Sequence, residues 1–212
     1  MASSLAQNSH SMYSIVTYSH NASMPVYMSS LAEIDLLKAE IELKGLASTG
    51  EAAEDHIKDE VIHSTKFWYT INQMSTWARG TLDSVLYPTL PSDAVISAWG
   101  DTIKTKFLAA TNLEDKMEVL MQQKYIHLNL LQPYELWSEL RRTGHPFLEP
   151  MTYNGVVMKP MPERVHYPTE EQINNAANFN KVATQNNDTS PIFWVPSNKQ
   201  NSTPYWPDYN YK

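Results

Sequence analysis

The 212-residue sequence contains no cysteine. That excludes disulfides, thiolate metal sites and a cysteine nucleophile, and it is compatible with any redox compartment. Basic residues are in the minority, 16 Lys and Arg against 23 Asp and Glu, for a net charge of −7. Binding to a phosphate backbone runs on the opposite balance, so nucleic acid is not an expected partner. No apolar run approaches the roughly 18 residues that a membrane-spanning helix needs. The opening residues, MASSLAQNSHSMYS, lack the basic start and apolar core of a signal peptide. G-x-S-x-G, P-loop and dinucleotide glycine patterns are missing, and with them the standard nucleophile and phosphate sites. Glycine is scarce, 6 residues beside 13 prolines, 12 tyrosines and 6 tryptophans, which points to helices joined by long aromatic-bearing loops.

At 42% hydrophobic, the chain is long enough for one well-buried core. It reads as a single domain over 1–212, with an extended lead-in over 1–23 and an aromatic, proline-rich tail over 196–212. Residues 11–28 carry the β-formers Tyr13, Ile15, Val16, Thr17, Tyr18, Val26 and Tyr27, which predict a short strand or extended segment. Ser29 or Ser30 then reads as an N-cap, with Glu33 completing a capping box after Ser30. The helix it opens runs to about Leu43, with Leu37, Ala39, Ile41 and Leu43 on its buried side and Lys44-Gly45 as the stop. Glu33, Asp35, Glu40 and Glu42 are placed at the helix start or on its exposed faces. Glu51 to Glu54 open a second helix with acids in its first turn, and Ile57, Val61, Ser64 and Trp68 recur along it at helical spacing. The pair looks like one tetratricopeptide-type hairpin, without a second copy at the period of a tandem array.

Residues 74–91 break the pattern with glycine and two prolines. Ser92-Asp93 can cap a helix through Ile96, Trp99, Ile103 and Phe107. Asn112 caps the next one, through Leu113, Met117, Leu120, Met121, Lys124, Tyr125, Leu128 and Leu131. Pro133 stands near the start of a helix that Thr143-Gly144 ends, and His145-Pro146 calls for an extended exit. The loop that follows holds prolines 146, 150, 160, 162 and 168, and Thr169-Glu170-Glu171 starts a short helix.

Two motifs frame that loop: W-x-E-x-R-R-T-G-x-P from Trp137 and P-x-R-x-x-Y-P ending at Tyr167-Pro168. Earlier, and in the same order, come L-L-x-A-E from Leu36, K-G at Lys44-Gly45 and A-A-E from Ala52. This combination, over roughly residues 24–195, resembles the C-terminal part of the SusD/RagB family of surface lipoproteins. The resemblance implies a mainly α fold of tetratricopeptide-type helix pairs with long loops and few or no strands. It also implies an outer-membrane, surface-exposed setting and non-enzymatic capture of oligosaccharide (peptide in some members) for a SusC-like TonB-dependent transporter, with no cofactor. The signal peptide, lipidated cysteine and N-terminal half of a full family member have no counterpart here. His145 stands where the family commonly has an aromatic residue, usually tyrosine. Trp137, Glu139, Arg141, Arg142, Gly144, Arg164, Tyr167 and Pro168 match the fold-defining positions. The arginines are read as fixing the Gly144–Pro168 excursion through its carbonyls, with bidentate capture of an anionic ligand as the alternative.

No catalytic residue and no metal ligand is assigned. A glycosidase needs two carboxyls at a set separation, one with a raised pKa, whereas Glu135 and Glu139 are simply one helical turn apart and the other acids read as solvated or salt-bridged. His56 and His63 are seven residues apart, too far for an i, i+4 metal pair. Aromatic rings are the better candidates, because they cover the apolar faces of sugars at low entropic cost. Trp77 and Tyr87, in the broken 74–91 loop, and then Tyr153 are the candidate ligand contacts. Trp68, Trp99 and Trp137 sit on helices and read as core. Tyr205, Trp206, Tyr209 and Tyr211 belong to the tail. The sequons at Asn21, Asn187 and Asn201 read as chance occurrences. Besides glycan capture, a peptide-capturing RagB-like member and a helical protein-interaction scaffold remain open.

Overall fold

The computed structural model describes residues 13–77, 79–80, 86–148, 152–153, 156–157, 162–188, 190 and 192–193. Among them, the helices α1 (Leu31–Leu43), α2 (Ala53–Met74), α3 (Asp93–Ala109), α4 (Leu113–Leu128) and α5 (Pro133–Thr143) come first. A minimal antiparallel pair follows, β1 (Thr152–Tyr153) with β2 (Val156–Val157), then α6 (Thr169–Asn174), α7 (Ala176–Val182) and a 3-10 turn, Ala183–Gln185. The fold is thus mainly α-helical. No described helix is long and apolar enough to cross a membrane. The chain divides into two compact units whose boundary falls between Leu136 and Trp137, within α5.

In the unit up to Leu136, the ends of the helices follow local chemistry. Ser30 Oγ accepts the Glu33 N–H, relieving one orphan donor of α1. The Glu33 carboxylate does not close the capping box; it accepts from the Tyr27 hydroxyl at 2.9 Å. Gly45 (φ 61°) ends α1: its own N–H bonds the Glu42 carbonyl and the Leu46 N–H bonds that of Ile41, the paired closure that a left-handed residue permits. Asn112 Oδ1 accepts the Asp115 N–H and starts α4. Between these ends, Leu36 and Ala39 of α1, Ala53 and Ile57 of α2, Phe107 of α3, and Met117, Leu120 and Met121 of α4 form one apolar core. Each large side chain among them contributes about 1.5–3 kcal/mol by leaving water.

Several faces lie one position away from where the spacing put them. Leu36 is buried and Leu37 is 46% exposed, because it is Leu36 that shares the Ala32–Ala39 face turned to the core. Asp35 and Glu40, expected on exposed faces, are buried. On α3, Ile96, Gly100 and Phe107 face inward and Trp99 is 44% exposed. The cause is the contact between α2 and α3: a Cβ on Gly100 would stand 2.9 Å from the Lys58 carbonyl oxygen, so the helices meet where no side chain intervenes. Lys58–Asp101 at 2.7 Å, Lys66–Asp93 at 2.8 Å and Lys104–Asp55 bridge the same two helices.

The short strand or extended segment expected in 11–28 is corrected over residues 15–20. The Ser14 carbonyl accepts from the N–H groups of Thr17 and Tyr18, and that of Ile15 accepts from His20. These bonds roll residues 15–20 into turns and bury Val16 completely.

In the unit from Trp137, Gly144 (φ 78°) ends α5 by donating to the Leu140 carbonyl at 2.8 Å, and the His145–Pro146 bond that follows is cis. Trp137 Nε1 donates to the Pro162 carbonyl at 2.7 Å. The Arg141 guanidinium lies 3.8 Å from the Trp137 ring centroid and donates to the Glu163 carbonyl at 2.9 Å. Glu163 N–H in turn bonds the Asp188 carbonyl. Arg142 pairs with Glu139 at 2.6 Å, and Arg164 donates to the Tyr167 hydroxyl at 3.1 Å. The Tyr167 N–H reaches Asn186 Oδ1 at 2.7 Å. Both ends of the long loop are therefore tied by side chains to its carbonyls and amides. α6 begins at Thr169, as the sequence predicts.

Candidate functional site

The turn at residues 14–18, the C-terminal half of α2 and the segment Leu86–Pro88 enclose an open groove of about 330 Å³. That volume is at the small end of the range of ligand sites, about 300–1,000 Å³. Its aromatic surface comes from Tyr18, Trp68 and Tyr69, with Leu86 and Pro88 adding apolar area. Ser14, Thr17 and Asn72 supply its polar groups.

Each wall is held from behind. Trp68 donates its indole N–H to the His127 carbonyl at 3.2 Å, so the ring presents carbon and π surface and no free donor. Phe67 meets the Trp68 ring edge-on at 5.3 Å. Tyr18 stands 5.2 Å from Trp68 at 46° and is itself braced by the Tyr13 ring at 5.6 Å. Burial, with the neighbouring Tyr13 as a smaller cause, pushes the Tyr18 phenol up to about 12, so it remains neutral. Asn72 Nδ2 donates to Thr17 Oγ1 and to the Leu86 carbonyl, both at 3.0 Å, and so joins the three wall segments. Asn21 Nδ2 donates to the Ile71 carbonyl at 2.8 Å, which fastens the turn to α2 and buries the sequon asparagine.

Behind Trp68 lies a buried polar chain. His127 is fully buried, with Nε2 2.7 Å from Ser30 Oγ and Nδ1 2.8 Å from Ser64 Oγ. Burial lowers its pKa to about 4 and keeps the imidazole neutral. Glu60, also buried, is pushed up to about 8, first by desolvation and then by the Asp35 charge, and its Oε2 has no hydrogen-bond partner. Asp35 pairs with His63 at 2.6 Å, and His56 Nε2 lies 2.6 Å from Thr49 Oγ1. These histidines are thus engaged separately. Among the described residues no group of three His, Asp or Glu side chains is placed to hold a metal ion.

Of the residues singled out from the sequence, Trp77 is 43% exposed, with its ring 4.5 Å from that of His20 and tilted 57° to it. Tyr87 is 6% exposed, contrary to a surface contact: Arg79 covers its ring at 3.4 Å, and its hydroxyl donates to the Trp77 carbonyl and lies 3.1 Å from Ser75 Oγ. It pins the Trp77 loop beside the groove wall of Leu86 and Pro88 and is not a free platform. Tyr153 belongs to β1, and its side chain lies outside the described residues, as do Tyr205, Trp206, Tyr209, Tyr211 and Asn201. Of the helical tryptophans expected in the core, Trp68 and Trp137 are half-buried. The groove's own Tyr18 and Tyr69 were not anticipated. The available signal was the run Phe67-Trp68-Tyr69, three consecutive rings that cannot all face one side of a helix.

The model of the SusD-like family, the SusD and RagB outer-membrane lipoproteins, matches residues 1–195. The chain belongs to this family. Its fold is similar to that of a SusD homologue from Bacteroides fragilis, with a TM-score of 0.54 and 20% identity over 77% of the chain. The similar region makes up 34% of that homologue, so the chain spans about a third of its length. No curated protein matches the sequence. Within this SusD-like chain, Trp137 and Arg141 donate to the Pro162 and Glu163 carbonyls, which favours their structural reading over anion capture, while Arg164 donates to the Tyr167 hydroxyl and keeps a buried Nε without a partner.

Proposed function

We propose that this SusD-like chain captures oligosaccharide in the groove of Tyr18, Trp68 and Tyr69, without chemistry, at the outer-membrane surface. Delivery would be to a SusC-like TonB-dependent transporter. Residues 1–212 are taken as one domain corresponding to the C-terminal portion of a longer family member. The observation that carries the reading is the pairing of tilted aromatic rings with neutral hydroxyl and amide groups in one open groove. Aromatic faces cover the C–H faces of a sugar, and hydroxyls that donate and accept suit its own hydroxyls. Trp77, exposed in the loop that Tyr87 anchors, is assigned a second stacking contact.

Peptide capture is disfavoured by the backbone around the groove. A peptide needs open main-chain donors and acceptors to pair with. Here the Ser14 carbonyl is taken by Thr17 and Tyr18, that of Leu86 by Asn72, and that of Pro88 by Gln73, while Pro88 has no N–H. The test is calorimetric titration of the folded protein against soluble polysaccharides and a mixed peptide pool. Heat from a glycan and none from peptides supports the assignment; heat from peptides alone overturns it.

A further inference from the structure

We propose that the groove selects uncharged glycans and rejects uronate- or sulfate-bearing ones. The inference rests on the glycan-capture reading above and narrows its substrate class. None of the described residues lining the groove carries a charge: the polar ones are serine, threonine, tyrosine and asparagine. The cations in or beside the wall segments are committed elsewhere. Lys66 pairs with Asp93 at 2.8 Å, and Arg79 lies over the Tyr87 ring and donates to the Gln73 carbonyl at 2.8 Å. Asn72 spends its amide N–H groups on Thr17 and Leu86, and Trp68 spends its indole N–H on His127. What remains toward a ligand is hydroxyl: Ser14 and Tyr69 make no side-chain hydrogen bond to a described residue.

A carboxylate or sulfate entering such a surface loses water and finds no guanidinium or ammonium to replace it. A neutral sugar loses far less, because each hydroxyl it buries can exchange hydrogen bonds with another hydroxyl. Chain length follows from the same geometry. A groove of this volume takes a short stretch of a polymer and leaves the rest outside.

The test compares oligogalacturonate with its fully methyl-esterified form, which share a backbone and differ in charge, beside a panel of neutral oligosaccharides. Selection by charge predicts at least tenfold tighter binding of the ester than of the acid, unchanged in rank at high salt. It further predicts that Ser14→Lys narrows or reverses the ratio by adding the missing cation. Equal or tighter binding of the acid by the unmodified chain would overturn the proposal. If neither form binds, the neutral panel decides: binding of a neutral oligosaccharide that is lost in its sulfated form supports the proposal, equal or tighter binding of the sulfated form overturns it, and a folded protein that binds no glycan overturns the capture reading on which it rests.

Discussion

Tyr18 and Trp68 meet at 5.2 Å and 46°, one from a turn near the start of the described chain and the other from the C-terminal half of α2. Their angle leaves an open wedge, which Tyr69 extends as the next residue of the helix. Removing Trp68 would also free the His127 carbonyl it bonds, so Tyr69 is the cleaner probe. Tyr69→Ala is expected to weaken glycan binding by about tenfold, the scale of a single aromatic contact of up to about 1.5 kcal/mol. Thermal unfolding should change little, because its hydroxyl is not used in the fold. Calorimetry and a melting curve on the same sample check both parts.

Glu60→Gln should change how stability depends on pH. The folded-state pKa of Glu60, about 8, lies above the ordinary 4.5. Between those values the folded chain holds a proton that the unfolded chain has released, so stability from this group is full below about 4.5 and is lost as pH rises through about 8. His127 has the opposite sign: its folded value of about 4 lies below 6.5, so its contribution is present above 6.5 and lost as pH falls through about 4. The two slopes oppose each other between about 4.5 and 6.5, so urea midpoints in the unmodified chain should fall chiefly from about 6.5 to about 8. In Glu60→Gln the alkaline fall should disappear while the acid loss from His127 remains. A variant that keeps the alkaline fall would place the titrating group elsewhere.

Gly100→Ala places a Cβ 2.9 Å from the Lys58 carbonyl oxygen, where backbone must yield. Although alanine favours helix, α2 and α3 would have to separate, and a net loss of about 1–3 kcal/mol is expected from overpacking. Chemical denaturation should report it as a lower midpoint with an unchanged slope.

Arg141→Lys keeps the charge and loses the planar group that stacks on Trp137 while reaching the Glu163 carbonyl. Proteolysis and hydrogen exchange in 144–168 should both accelerate. Affinity for glycan at the Tyr18–Trp68 groove should be unaffected, since this arginine acts on its own loop.

Helix ends were legible because their chemistry is local. Ser30, Gly45, Asn112 and Gly144 each satisfy or release a backbone group within a few residues, and each stands where its sequence neighbourhood places it. The facing of the helices was less so. Leu36 and Leu37 are both apolar, and spacing alone does not choose between them. Gly100 turns α3 inward through a contact with Lys58, which no periodicity on α3 contains. The buried chain of Ser30, His127 and Ser64 joins three separate elements, so none of its members has a local signature. The groove follows the same logic. Tyr18 looked like a strand residue because β-formers surround it, while the bonds to the Ser14 carbonyl decided for a turn. Tyr87 looked exposed because proline and glycine flank its loop, while Arg79 and Ser75 drew it inside.

The most direct test of capture in this groove is an NMR measurement of intermolecular Overhauser contacts between a bound neutral oligosaccharide and the aromatic ring protons. Contacts from sugar C–H protons to the rings of Trp68 and Tyr69 are predicted, with those to Trp68 weakened in Tyr69→Ala. Contacts confined to aromatic residues outside the groove, such as Phe193, would contradict it.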